Sequence, residues 1–171
     1  APRLDDLQCV FGSLEAFITA EPADDLTSAA VCCIFDNEEV GSSTKQGANS
    51  TFLSDTLERI SATLGFDRSA HRCMLSNSFM VSCDNAHAIH PNHPEYADPN
   101  HVVKINAGIV IKYSAAQKYT SDAVSSAIFR VICKRADAPV QSFANRADMP
   151  GGSTLGNISN THVSINTVDI G

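Results

Sequence analysis

Apolar residues in this 171-residue chain recur at helical spacing in some stretches and gather into short β-branched runs in others. Leu7, Val10, Phe11, Leu14, Phe17 and Ile18 fall three and four apart, which predicts a helix over residues 6–20, with Gly12 a mild weakness. Phe52, Leu53, Leu57, Ile60 and Leu64 predict another, closed by Gly65. Residues 121–135 predict a third, with Ser121 as its cap and Asp122 favourable in the first turn. Short apolar runs predict strands at residues 31–35 (VCCIF) and 78–83 (SFMVSC), and within APVQSFANR and HVSINTVDIG. VVKINAGIVIKYS carries two β-like stretches around Gly108. Residues 21–28 (EPADDLTS, with Pro22), 41–49 (GSSTKQGAN), 66–77 and the Gly-rich 148–160 (DMPGGSTLGNISN) read as loops. The segment AHAIHPNHPEYADPNH is too long for an ordinary connection between strand and helix. This alternation predicts an α/β fold, a three-layer sandwich around a mixed, mostly parallel sheet, without internal repeats.

Composition narrows the partners. The length fits one domain with a real core. A net charge of -7 with only 12 Lys and Arg excludes the basic stripe that nucleic acid requires. No run of about 20 apolar residues exists to span a membrane. The start, APRLDD, has neither an initiator Met nor a signal-peptide pattern, and INTVDIG stops just after an apolar stretch. Both ends read as the interior of a longer chain. Six Cys without a C-x-x-C pair predict free thiols in a reducing compartment.

The acidic residues stand at element ends. Asp36, Glu38 and Glu39 follow the run 31–35, Asp84 follows 78–83, and Asp5 and Asp6 precede the first helix. Ligands collect beyond the carboxyl ends of strands in open α/β sheets. Adjacent carboxylates there disfavour joint ionisation, so a cation should offset them. Oxygen ligands with one or two imidazoles suit zinc, manganese or cobalt. A pair of ions about 3.5–4 Å apart could hold an attacking water and polarise a carbonyl together. Asp5 could bridge such a pair, one of Glu38 and Glu39 could bind metal while the other faces the water, and Asp84 could cap the second ion. The bland alternative is a set of solvated acids at loop ends. His87, His90, His93 and His101 crowd one segment, but Pro91 and Pro94 deny it a helical face on which the spacing would make a metal site. His87 and His90 better suit contact with substrate or support of the site. His71 and His162 need no function. Lys112 could meet an acidic substrate side chain if its strand end faces the cleft. GGSTLG lacks the pattern of a phosphate loop.

Taken in order, APRLDDL, FDNEEVGSSTKQGANS, MVSCDNAHAIHPNHPE, NAGIVIK and RADMPGGSTLG closely resemble the aspartyl aminopeptidase and vacuolar aminopeptidase I family of zinc metallo-aminopeptidases, over essentially the whole chain. The resemblance implies two Zn2+ per active site in the intact enzyme. It implies Asp5 as the bridging carboxylate, Glu38 as general base, and Glu39 and Asp84 as ligands of one zinc each. His87, His90, Lys112, Tyr119, Gly151, Gly152 and Ser153 match positions around the substrate, with Thr154 and Gly156 completing the Gly-rich loop. A cis peptide after Asp5 is also implied. Residues 1–171 would be an internal segment of the catalytic domain, without the two histidine ligands and the dimerisation domain. The expected partners are peptides, with acidic N-terminal residues preferred and neutral apolar ones the alternative. Large homo-oligomers are expected at full length, as is a cytoplasmic location, with the vacuole as alternative. Two departures stand out: Asp6 where the family usually has Asn, and Ala107 and Ile109 flanking Gly108 where Lys and Pro are usual.

Overall fold

The computed structural model describes residues 2–21 and 27–171. Pro22 and most of the loop expected around it lie outside the described residues. Helix α1 spans Leu4–Thr19, α2 Phe52–Thr63 and α3 Arg68–Ser76. Strand β1 (Phe79–Cys83), strand β2 (Ile109–Tyr113), helix α4 (Ala123–Arg135), strand β3 (Val140–Ala144), helix α5 (Leu155–Asn160) and strand β4 (Asn166–Ile170) follow. The sheet order is β1-β4-β2-β3. β1 pairs with β4 and β2 with β3 in parallel, and β2 meets β4 antiparallel at Ile111 and Ile170. Among the described residues no helix is long and apolar enough to cross a membrane.

Strand alternation splits the core in two. Ile111 and Val168 face α4, where Phe129 and Cys133 close over them. Val110, one residue away, packs with Val103, Tyr119 and Phe143 on the other side. Thr167 and Asp169 also face away from α4, and α5 lies there, with Asn160 Nδ2 donating to Thr167 Oγ1 at 2.9 Å.

Several elements differ from the sequence pattern. Residues 31–35 form no strand: among the described residues no neighbouring strand takes up their backbone groups. The segment's ordering contacts come just after it, where the Asp36 and Asn37 N–H groups donate to Gln46 O. Val31 and Ile34 remain exposed. Residues 66–77 contain α3, which has too few apolar residues to announce itself, yet Asp67 caps it by accepting from Ala70 N at 2.8 Å. The stretch before Gly108 is not a strand. Gly108 turns the chain there at φ 108°, and a Cβ would overlap the Pro139 carbonyl. The Gly-rich segment contains the short α5.

The cap of α4 is Asp122 rather than Ser121. Asp122 Oδ1 accepts from Ser125 N at 2.7 Å, while Ser121 Oγ accepts from Asp169 N at 2.9 Å. Asp122→Ala should cost about 1 kcal/mol, read by denaturant unfolding. The Ser125 N–H holds the Asp122 carboxyl below its ordinary range. Its contribution is therefore present above the unfolded pKa and lost as pH falls through the depressed value. An unchanged midpoint in Asp122→Ala at neutral pH would refute the cap's contribution.

Candidate metal centre

Three acids converge where α1 begins and β1 ends. Carboxylate oxygens of Asp5, Asp6 and Asp84 all lie within 4.8 Å of one another. Asp5 and Asp6 sit at the head of α1 with non-helical backbone angles and a cis peptide between them, as the resemblance implied. Asp84 leaves β1 with its N–H donating to Ile170 O at 3.0 Å, so it continues the pairing with β4. Gly171 follows in the same crowded corner, where a Cβ would overlap Asp84 O and Ala86 N.

Asn85 fastens the two halves together. Its Nδ2 donates to Leu4 O at 3.0 Å, and its Oδ1 accepts from Cys9 Sγ at 3.4 Å. Its backbone carbonyl accepts from Lys112 Nζ at 3.2 Å. Nothing in the hydrophobic pattern singles out Asn85. The signal lay in its place directly after Asp84.

The electrostatics ask for a cation. Burial pushes the Asp6 carboxyl up, and Asp84 and Asp5 add to this. One Asp6 oxygen is buried without a hydrogen-bond partner. Burial also raises Asp84, and Asp5 adds to it, although Lys112 pulls the other way. Lys112 Nζ stands 3.5 Å from Asp84 Oδ2 with its side chain only 3% exposed. One buried ammonium does not balance this group, and a divalent ion bound through oxygen would.

Glu38 joins the group electrostatically. Burial raises its pKa first, followed by the charges of Asp84, Glu39, Asp5 and Asp6. Its backbone is held by a turn in which Gly41 N donates to Glu38 O at 2.8 Å. Glu39 is exposed and lies outside the three-acid cluster.

Of the residues expected around the substrate, Lys112, Tyr119 and Gly151 follow one another in a line that starts at Asp84. Lys112 Nζ lies 5.7 Å from the centre of the Tyr119 ring. The Tyr119 phenol shares a hydrogen bond with Asn145, another residue that the pattern did not single out. A Cβ on Gly151 would stand 2.5 Å from Asn145 Nδ2, so the Gly-rich loop presses on that amide. Gly152 and Ser153 are exposed beside it. His87 is exposed and tilts over Phe143 at 6.1 Å, whereas His90 pairs with His93 at 5.4 Å. Neither histidine enters the acid cluster.

The family model described as aminopeptidase I zinc metalloprotease (M18) matches residues 1–171. The chain belongs to the M18 family. A probable M18 family aminopeptidase 2 of Clostridium novyi (strain NT) is 52% identical over 169 residues, covering 99% of the chain and 38% of that protein. A probable aspartyl aminopeptidase of Ricinus communis is 42% identical over 173 residues, covering 99% of the chain and 35% of that protein. Among solved structures, the Ape4 and Nbr1 complex includes a chain with a TM-score of 0.87 and 36% identity, matched over 100% of this chain and 33% of its own. The chain thus spans well under half the length of these M18 relatives.

M18 membership makes zinc the fitting ion, and the donor set agrees. Zinc accepts Asp and Glu oxygens, and the orphaned Asp6 oxygen and the three converging carboxylates provide them. Among the described residues no histidine stands in the cluster.

Proposed function

We propose that the intact protein is a dizinc aminopeptidase, and that these residues carry the base and part of the metal shell. The observation behind this reading is the convergence of Asp5, Asp6 and Asp84 with Glu38 in their field. Asp5, Glu39 and Asp84 would hold zinc, Asp5 between two ions. Two histidines would come from other parts of a longer protein, in keeping with the 38% coverage of the Clostridium novyi relative. The surface supports a longer protein too. Helix α1 buries none of its residues and leaves Leu7, Phe11 and Ile18 more than half exposed.

Bound zinc would supply Lewis-acid polarisation and a more acidic water. The chain's own residues do the rest. Glu38 would take a proton from the attacking water as its oxygen adds to the scissile carbonyl, and would give that proton to the amine as the C–N bond breaks. Burial and the neighbouring carboxylates raise the pKa of Glu38, the direction that favours proton exchange in both steps. Lys112 opposes the upward push of burial on the Asp84 carboxyl and holds its orientation. His87, His90, Tyr119 and the loop of Gly151, Gly152 and Ser153 would line the approach of the N-terminal residue.

Acidic N-terminal residues are the proposed preference, in line with the aspartyl aminopeptidase name of the Ricinus communis relative. Neutral apolar residues are a second reading, favoured by one observation: the Lys112 ammonium already faces Asp84. Assembly into a large homo-oligomer and a cytoplasmic location, or a vacuolar one, complete the proposal.

The test compares two polypeptides. The full-length protein should retain about two zinc ions after dialysis and hydrolyse Asp- or Leu-terminal peptides. Residues 1–171 alone should retain no stoichiometric zinc and show no turnover, because three carboxylates without imidazole leave the shell open. Stoichiometric zinc and hydrolysis by residues 1–171 alone would refute the shared shell.

A further inference from the structure

Asp169 is a carboxylate in the middle of a core strand. It is 1% exposed, and among the described residues no cation pairs with it. A buried acid is costly unless its oxygens are fully hydrogen-bonded. Those bonds go to two separate loops. Oδ2 accepts from Thr120 N at 2.6 Å and from Thr120 Oγ1 at 2.7 Å. Oδ1 accepts from Thr154 Oγ1 at 2.8 Å. These are short contacts, as expected when the acceptor is charged.

Each loop carries residues of the candidate site. Thr120 follows Tyr119, whose ring stands below Lys112. Ser121, next along, exchanges two hydrogen bonds with the Asp169 backbone. Thr154 follows Gly151, Gly152 and Ser153, and also caps α5 together with Asn157. The neighbouring backbone is fitted to this carboxylate, since a Cβ at Gly156 would overlap Asp169 Oδ1. Asn145, just after β3, stands beside both loops: it hydrogen-bonds the Tyr119 phenol, and a Cβ on Gly151 would lie 2.5 Å from its Nδ2. An apolar residue would suit this strand position for packing alone. A two-oxygen acceptor suits it for gripping two loops at once.

We propose that Asp169 is a positioning residue that sets the Tyr119 loop and the Gly-rich loop at a fixed separation, and so fixes the cleft that receives the N-terminal residue of the substrate. This rests on the aminopeptidase reading above. Asp169 touches no reacting atom and acts through Thr120 and Thr154.

The experiment uses full-length, zinc-loaded protein. Thr154→Val removes one anchor while keeping shape, and Thr154→Ser keeps the hydroxyl. Asp169→Asn is the companion variant, should Thr154→Val fold poorly. For Thr154→Val the expected result is a KM raised about ten-fold, the scale of one hydrogen bond to a charged group, with kcat and zinc content nearly unchanged. Amide exchange should quicken at residues 151–154 and 117–121, although only the first loop loses its anchor directly. Thr154→Ser should restore KM and exchange. An unchanged KM and unchanged exchange at 117–121 would overturn the proposal, even if thermal stability fell. So would a loss of zinc with kcat, which would place the effect on the metal carboxylates. Should the wild-type protein hydrolyse no peptide, the aminopeptidase reading fails, and hydrogen exchange alone decides the coupling of the two loops.

Discussion

Glu38→Gln in the full-length enzyme is expected to lower turnover by about 10²–10⁴-fold and to leave zinc content intact. Glutamine keeps the shape and the polarity of the side chain but cannot take the proton from water. Its surroundings suit a base rather than a ligand. Burial and four nearby carboxylates raise its pKa, yet Glu38 stands outside the cluster of Asp5, Asp6 and Asp84. Glu39→Gln should instead lower zinc content together with turnover, as expected for a ligand. The position of Glu39 makes this comparison sharp, because it too lies outside the cluster while Asp6 lies inside. Metal analysis of Glu38→Gln, Glu39→Gln and Asp6→Asn decides among them. Equal zinc loss in the two glutamate variants would reverse their assigned roles. Zinc retained in Glu39→Gln and lost in Asp6→Asn would transfer the ligand role to Asp6.

The sequence made some of these residues easy to find and hid others, for physical reasons. Asp5, Asp84 and Glu38 could be picked out as candidates because acids standing at element ends are costly unless used, and Asp5 and Asp84 do lie together with Asp6. Asn85, Asn145 and Asp169 could not be picked out, because their work is a set of hydrogen bonds to distant segments. Asn85 reaches Leu4, 81 positions away, and Asp169 reaches Thr120, 49 away. Periodicity carries no trace of such bonds. Helices α1, α2 and α4 showed their apolar spacing, whereas α3, with its polar face dominant, was marked only by the Asp67 cap. Residues 31–35 have the composition of a buried strand, but among the described residues no strand pairs with them. Composition reports that a segment can be buried in a sheet, and pairing needs a second strand.

Lys112→Met carries the other large expected effect, and it separates two roles for one ammonium. Lys112 lies on the same side of β2 as Val110, with its side chain 3% exposed and its partner Asp84 15% exposed. Removing one member of a buried pair leaves the other charge without compensation, at a cost of about 3–5 kcal/mol. The zinc-free protein should lose stability on that scale in a denaturant titration. Zinc should restore part of it, since the ion then faces Asp84. Specificity is the second readout. If the ammonium also meets the carboxylate of an N-terminal Asp or Glu, the ratio of kcat/KM for Asp- over Leu-terminal peptides should fall about ten- to a hundred-fold. The carboxylates of Asp5, Asp6 and Asp84 oppose an acidic substrate, and the Lys112 ammonium beside Asp84 favours one. A drop in both kcat/KM values at constant ratio would confine Lys112 to holding Asp84 and would favour neutral N-terminal residues. Full stability in the zinc-free variant would remove Lys112 from that pair as well.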